Sequence, residues 1–399
     1  MQNKQTLRNV LVLTVVTSGL TMHAPAQVVE LFGWGINSSG QIDTPSSATG
    51  VSQVACGFVH TYALKSDGTL LGWGNNDNGQ VNTPASLTNV NQVACGLYHT
   101  YALKNDATLV GWGSNVVGQI NTPGSALSIA HIACGGFQTQ ALRSDGTPIG
   151  WGSNFGGETT TPSFAYGITQ LACGFLHTYG LRSDGTLIGW GDNGDRQIST
   201  PVNTIAITQV ACGPYHTYAL KTDGTLIGWG RNRDGETNTP LAATGITQVA
   251  CGGYADASFT AGFTYALKSD GTLIGWGNNV VGQTNTPGNA MGITQVACGG
   301  YHSYMLRPWR DCDENGSSDL DDIFTGAAMD FNTNGRIDDC ELAKGDFDLS
   351  GEVDTGDLSV LLLYMGDVDS PIGDLDSDGF VTTGDVSLLL LNFGPVTWP

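Results

Sequence analysis

The chain has 399 residues, 57 of them glycine and only 13% charged, where an average globular protein is about 25% charged; this excludes a long-helix or coiled-coil protein. Its formal charge of -21, from 15 basic and 36 acidic residues, removes the basic footprint that nucleic acid or anionic lipid would need. The charge is local: residues 308–399 hold 21 acidic and 3 basic side chains (net -18), and residues 1–307 hold the other 15 and 12 (net -3).

Residues 1–26 read as a secretory signal peptide. Lys4 and Arg8 precede the apolar run from Val10 to Val16, and Ala24-Pro25-Ala26 supplies small residues around a cleavage point. No later stretch approaches the roughly 18 uninterrupted apolar residues of a membrane span. The mature chain is expected to start near Gln27, outside the cytoplasm, secreted or at the cell surface.

Residues 27–307 repeat themselves. Gly-Trp-Gly recurs at Trp34, Trp73, Trp112, Trp151, Trp190, Trp229 and Trp276, and cysteine recurs at Cys56, Cys95, Cys134, Cys173, Cys212, Cys251 and Cys298, each with five gaps of 39 residues and one of 47. The eight extra residues fall near Tyr254 to Ala261. Each unit carries two β-rich runs around an Asp-Gly turn, a hairpin signal because the turn needs positive φ. Ala107 is the one departure at that glycine. About three antiparallel strands per unit cannot bury a face alone, and a period near 40 built of strands marks a β-propeller. The domain starts at the Gly-Trp-Gly strand, Leu31 to Gly35, and ends on Val296 to Arg307, so each terminus supplies what the other lacks. An all-β ring of seven blades, the last built from both ends, is expected.

Val54-Ala-Cys-Gly-x-x-His-Thr-Tyr-Ala-Leu, followed by Asp-Gly-Thr-Leu, Gly-Trp-Gly and Asn-x-x-Gly-Gln, resembles the regulator-of-chromosome-condensation repeat. The short unit is closest in style to the secreted propeller-type β-lactamase inhibitory proteins. The Gly-His and Trp-Asp signature of other propellers does not occur.

His60, His99, His177, His216 and His302 share one repeat position, with Gln138 there in another unit. Chemistry needs one site and architecture needs seven, so a structural role is expected, each histidine hydrogen-bonding within its own blade. The seven cysteines read as free, buried thiols. Function is sought where the repeats disagree. The variable pair of Cys-Gly-x-x-His holds Phe58, Tyr98, Phe137, Phe175, Tyr215 and Tyr301, and the insertion adds Tyr254 and Phe259. The Asn-x-x-Gly pair adds Phe155, Asp195, Arg196, Arg233 and Asp234. Both pairs should open on one face, with the Asp-Gly turns on the other. Aromatics around one mouth suit protein recognition; packing between blades and carbohydrate stacking are the other readings.

In residues 308–399 the acids follow Asp-x-Asp/Asn-x-Asp/Asn/Ser-Gly with an acid at position 12, a spacing that surrounds calcium with oxygen donors. The loops of residues 308–344 are Asp311, Asp313, Asn315, Asp319 and Asp322, then Asp330, Asn332, Asn334, Asp338 and Glu341. Cys312 and Cys340, outside the propeller beat, are expected to form a disulfide. Residues 345–399 hold Asp346, Asp348, Ser350, Asp354 and Asp357, then Asp374, Asp376, Asp378, Thr382 and Asp385, and both loops run into apolar helical segments. This pairing, closed by Asp, resembles the dockerin domain, a small α-helical EF-hand-like module. The resemblance implies bound calcium, a cohesin-like partner, and recognition through Thr355 and Thr383, although Gly356 and Gly384 depart from the family's usual Ser or Thr.

The expectation is a secreted, non-enzymatic, monomeric protein. Its propeller face recognises a protein and its calcium-dependent tail attaches to a partner or scaffold. Inhibition of a secreted enzyme, or carbohydrate binding in a polysaccharide-degrading assembly, is the alternative.

Overall fold

The computed structural model describes residues 29–255, 260–308, 323, 346–347, 352–365, 375, 381–391 and 394–395. The first strand is Val29–Gly35 (β1). A complete unit follows as Val51–Cys56 (β2), His60–Lys65 (β3) and Leu70–Gly74 (β4), paired in the order β2-β3-β4. This is blade 1. Blade 2 is Val90–Cys95, His99–Lys104 and Leu109–Gly113 (β5–β7), and blade 3 is Ile129–Cys134, Gln138–Arg143 and Pro148–Gly152 (β8–β10). Blades 4 and 5 are Ile168–Cys173, His177–Arg182 and Leu187–Gly191 (β11–β13), then Ile207–Cys212, His216–Lys221 and Leu226–Gly230 (β14–β16). Blade 6 is Ile246–Ala255, Thr260–Lys268 and Leu273–Gly277 (β17–β19).

Gln295–Cys298 (β20) and His302–Pro308 (β21) complete the ring by pairing with β1, from Val29 opposite Pro308 to Gly35 opposite His302. Blade 7 is therefore built from both ends of the domain. The innermost strands touch in succession, and the last, β20, touches the first, β2.

The repeated glycines follow from packing. The first glycine of Gly-Trp-Gly lies under a tyrosine ring: a Cβ on Gly228 would stand 2.5 Å from Tyr218. The second takes positive φ, as at Gly74 with φ 95°. At the hairpin turn Gly68 has φ 78°, and Ala107 adopts φ 64° in its unit, a conformation that costs a residue with a Cβ about 1 kcal/mol.

Blades are bolted to their neighbours, at six of the seven junctions, by side chains at equivalent positions of the repeat. The expectation that the histidines bond within their own blade is corrected here. His60 Nε2 lies 3.1 Å from Thr100 Oγ1 of blade 2, and His99, His177, His216 and His302 reach Thr139, Thr217, Thr264 and Thr61 in the same way. Thr100 Oγ1 gives its own proton to Gln80 O at 3.0 Å, so His60 must donate through Nε2. The Nδ1 lone pair is then left buried without a partner. The intrablade expectation fails because each histidine starts the middle strand of its sheet and its side chain projects from the face that packs against the neighbouring blade. A second bolt joins Trp112 Nε1 to Tyr62 OH at 3.0 Å. A third is a clasp in which Gln53 receives the Val93 amide and donates to the Val93 carbonyl.

The Asn-x-x-Gly loops close on a buried glutamine or glutamate. Gln80 Nε2 donates to Asn75 Oδ1 at 2.6 Å, and Gln283 to Asn278 at 2.7 Å. Ile36 occupies the equivalent of Asn75, and Gln41 Nε2 is buried without a partner. Supplying the acceptor through Ile36→Asn is expected to stabilise the domain by about 1 kcal/mol. A thermal melt should rise by about 2 °C.

Residues 309–399 form a separate unit. Thr355–Leu363 (α1) and Thr383–Leu391 (α2) accompany a short pair, Glu352–Val353 (β22) with Gly394–Pro395 (β23). Phe347, Val353, Leu361, Val381 and Leu389 make its core. Asp354 caps α1 by accepting the Gly356 amide at 2.6 Å, and the Asp357 carboxylate accepts the Asp354 amide at 2.7 Å. No helix among the described residues is long and apolar enough to cross a membrane. The expected signal peptide, the Asp311 and Asp330 loops and the expected Cys312–Cys340 disulfide fall outside the described residues, as do Asp348, Ser350, Asp374, Asp376 and Asp378.

Candidate functional site: the mouth of the ring

His60 pairs with Gly74, so the Cys-Gly-x-x loop and the Asn-x-x-Gly loop leave each blade at the same end, as expected, with the Asp-Gly turn at the other. The shared end surrounds a central cavity of about 210 Å³ lined by the Cys-Gly pair of every blade. The seven cysteines are free. Six of the thiols meet an alanine carbonyl of the preceding blade, as from Cys95 Sγ to Ala55 O at 3.6 Å, and four of these also lie 3.9–4.0 Å from a threonine hydroxyl of their own blade. Burial pushes the Cys95 and Cys251 thiols up to about 12, which leaves almost no thiolate at neutral pH.

The two variable positions, alike in sequence, have different surroundings. The first lines the cavity, through Phe58, Leu97, Phe175 and Pro214. Phe58 and Phe175 fit there because the preceding blades carry Gly300 and Gly136, where any Cβ would press into the rings. The second position holds Tyr98, Phe137, Tyr215 and Tyr301, all half-buried.

The rings touch in sequence around the mouth. Tyr215–Phe175 and Phe175–Phe137 centroids are both 5.9 Å apart, Phe137–Tyr98 6.3 Å, Tyr98–Phe58 5.6 Å and Phe58–Tyr301 5.7 Å. Edge and tilted contacts of this kind hold the rings stiffly while leaving part of each face in solvent.

The eight-residue insertion continues β17 and β18 past the mouth as a hairpin, with Tyr254 opposite Ala261. Tyr254 stacks on Phe58 at 4.2 Å and 19°, reaching from blade 6 past blade 7 to blade 1. Phe259 lies outside the described residues. Arg231 Nη2 ties the hairpin base by donating to Thr260 O at 2.7 Å, and Glu236 and Asp234 lie 3.7 Å from the same guanidinium. Burial raises the Glu236 carboxyl above its usual range.

Among the Asn-x-x-Gly loops, Phe155 is 88% exposed, Arg196 and Arg233 are exposed, and Asp195 and Asp234 are half-buried. Two exposed apolar tips were missed, Val116 and Val280. The Val116-Val117 and Val280-Val281 pairs in an otherwise polar loop were the available signal.

In the C-terminal unit Asp346, Asp357 and Asp385 are fully buried. Asp385 accepts the Leu375 and Thr382 amides, each at 2.7 Å. Thr355 and Thr383 are exposed at the starts of the helices, whose far ends expose Leu363 and Leu391. No three His, Cys, Asp or Glu side chains among the described residues converge as a metal site.

Residues 51–80, 90–119, 168–197, 207–236 and 246–283 match the regulator of chromosome condensation (RCC1) repeat. Prp20p of Saccharomyces cerevisiae, described with its binding to Gsp1p and histones, is similar in structure with a TM-score of 0.60 at 18% identity, over 71% of this chain and 93% of that one. Human WBSCR16 is similar with a TM-score of 0.54 at 18% identity, over 70% and 98%. The ectodomain of the Arabidopsis thaliana receptor kinase ACR4 gives 0.50 at 20% identity, over 63% and 91%. At such identities the likeness is one of fold. No curated protein matches the chain.

Proposed function

We propose, from a ring in which five units match the regulator of chromosome condensation repeat, a secreted, non-enzymatic binding protein whose aromatic mouth recognises another protein. One observation carries this: the run of half-buried rings from Tyr215 to Tyr301, extended by the Tyr254 hairpin. Rigid aromatics give large contact area at small entropic cost, and such residues dominate protein interfaces. Prp20p, of the same fold, is described as binding Gsp1p and histones. The propeller carries little charge for its size, net -5 from 15 acidic and 10 basic residues in 27–307, and has to rely on shape and apolar contact.

The tail is the attachment device of the same proposal. Buried carboxylates need donors or a cation, and Asp346, Asp357 and Asp385 in spaced acidic loops suit a hard ion such as calcium. Asp346, Asp348, Ser350 and Asp357 would hold one ion, and Asp374, Asp376, Asp378 and Asp385 a second. Bound calcium would order α1 and α2, which present Thr355, Thr383 and the exposed leucines to a cohesin-like partner.

The test is capture from the native secreted fraction with the full mature chain, in calcium and in chelator. A Tyr98→Ala, Phe155→Ala, Tyr215→Ala variant is expected to lose the calcium-independent partners, keep the calcium-dependent ones, and melt within a few degrees of the parent. Unchanged capture in every arm would sink both halves of the reading.

A further inference from the structure

The seven blade junctions are not equivalent. At six of them a glutamine on one blade accepts an inner-strand amide of the next: Gln53 from Val93, Gln92 from Ile132, Gln170 from Val210, Gln209 from Val249, Gln248 from Val296 and Gln295 from Val54. The same six junctions carry a tryptophan-to-tyrosine bond of 3.0–3.1 Å. Five of them also carry the histidine–threonine bolt. At the sixth, between blades 6 and 7, Phe263 stands in the histidine's place and Ser303 faces it.

Between blades 3 and 4 all three links lack their blade 3 partner. His131 stands at the clasp position, Gln138 at the histidine position and Gln140 at the tyrosine position. Leu171 is alone among the seven equivalent residues in having no glutamine carbonyl for its amide. Trp190 Nε1 keeps the Glu158 carbonyl at 2.9 Å but has no phenol. The substitutes are fewer: Gln138 Nε2 reaches Gly174 O at 3.0 Å, and Gln140 Nε2 donates at 2.7 Å to Glu158 O, a carbonyl it shares with Thr178 and Trp190, while lying 3.5 Å from Thr178 Oγ1. Gln140 Oε1 is buried without a partner.

On the blade 4 side Thr178 and Trp190 are the repeat residues, and Thr161 stands where a tyrosine hydroxyl finds its threonine in other blades. Gly150 of blade 3 is kept, with the Gln140 amide in the place of the ring. The three lost links are all changes in blade 3; blade 4 adds Gly180, where most blades have a buried alanine.

The break in the chain lies elsewhere, in blade 7, and at its junction with blade 1 every link is made. Val54 N donates to Gln295 Oε1 at 3.0 Å, His302 meets Thr61 at 2.9 Å, and Trp73 donates to Tyr304 at 3.0 Å. We propose that the propeller opens first between blades 3 and 4, at a seam that lets the mouth widen while the closing blade stays fastened. The contact between Phe137 and Phe175 crosses this seam, and Phe175 sits over Gly136. Opening therefore parts the aromatic run at that point, and a ligand spanning both rings would hold it shut.

Hydrogen exchange on the full mature chain tests this. Peptides covering 129–134 and 168–173 are expected to exchange faster than their equivalents in the other blades. His131→Gln and Gln140→Tyr, made singly, should each slow that exchange by roughly two- to tenfold, the effect of one restored hydrogen bond. Tyr101→Gln, the reverse change, should create a second fast junction between blades 2 and 3. Uniform exchange, fastest exchange at 29–35 and 302–308, or repairs that leave the local rates unmoved would overturn the proposal. Should Gln140→Tyr fail to fold, His131→Gln decides it alone.

Discussion

Lowering the pH from 7 to about 4.5 is expected to unfold the propeller cooperatively, with loss of the β signal in the far ultraviolet and a shift in tryptophan emission. Burial holds His60, His177, His216 and His302 down to about 3, and His99 and His131 to about 4. At His60, His99, His177 and His302 geometry gives the reason: Nε2 already donates to threonine, so a second proton would sit on an Nδ1 that has no acceptor, and the Nδ1 of His131 is likewise buried without a partner.

In the unfolded chain the same residues titrate near the ordinary 6.5. Below that pH the unfolded state takes up protons that the fold refuses. The stability contribution is therefore complete above pH 6.5 and is lost progressively as the pH falls toward 4. At pH 5 each histidine costs about 2 kcal/mol, and six together on the order of 10 kcal/mol, comparable with the whole stability of a domain, about 5–15 kcal/mol. His99→Gln, copying the natural residue of blade 3, should make the transition shallower. A propeller still folded at pH 3 would show that these rings are not buried neutral.

The second large effect is expected from deleting residues 27–36. Removal of β1 strips the outer strand from blade 7 and leaves β21 with one partner. It also removes the Trp34 bond to Tyr265 at 3.0 Å, the Arg307–Glu30 ion pair at 2.6 Å, and the buried Leu31 and Trp34 side chains. Each of those two side chains contributes about 2–3 kcal/mol by burial, and β21 would become an exposed edge inviting pairing between chains. The truncated protein is expected to melt at least 15 °C lower or to aggregate, measured by calorimetry and light scattering. Phe32→Ala is the control: Phe32 lies on the same strand but is 36% exposed, and its loss should shift the melt by only a few degrees. Equal effects from both changes would mean that the ring does not depend on its closing strand.

Much of the mouth was legible in the residues. The shared face of the two loops follows from the strand count of a meander, and the aromatic rim stands out because Phe and Tyr occupy a position that the repeat leaves free. The hairpin of the sixth blade was located by counting eight surplus residues, but its reach was not. Only the curvature of the ring brings Tyr254 onto Phe58, nearly 200 positions away in the chain. Gln138 was visible as an exception to the histidine pattern, whereas His131 carried no meaning until its neighbour across the junction was known.

The amino-acid sequence by itself determined seven units, three strands in each, the closure through both termini and the face on which variation collects. All of these depend on spacing within one unit, and spacing repeats faithfully along a chain. The tertiary structure alone decided which side chain meets which. Histidine bonds forward to the next blade's threonine, the first variable residue lines the cavity, and the third junction is left short of its bolts. Those contacts depend on the angle between neighbouring blades, a quantity set by the packing of all seven together and written in no single repeat.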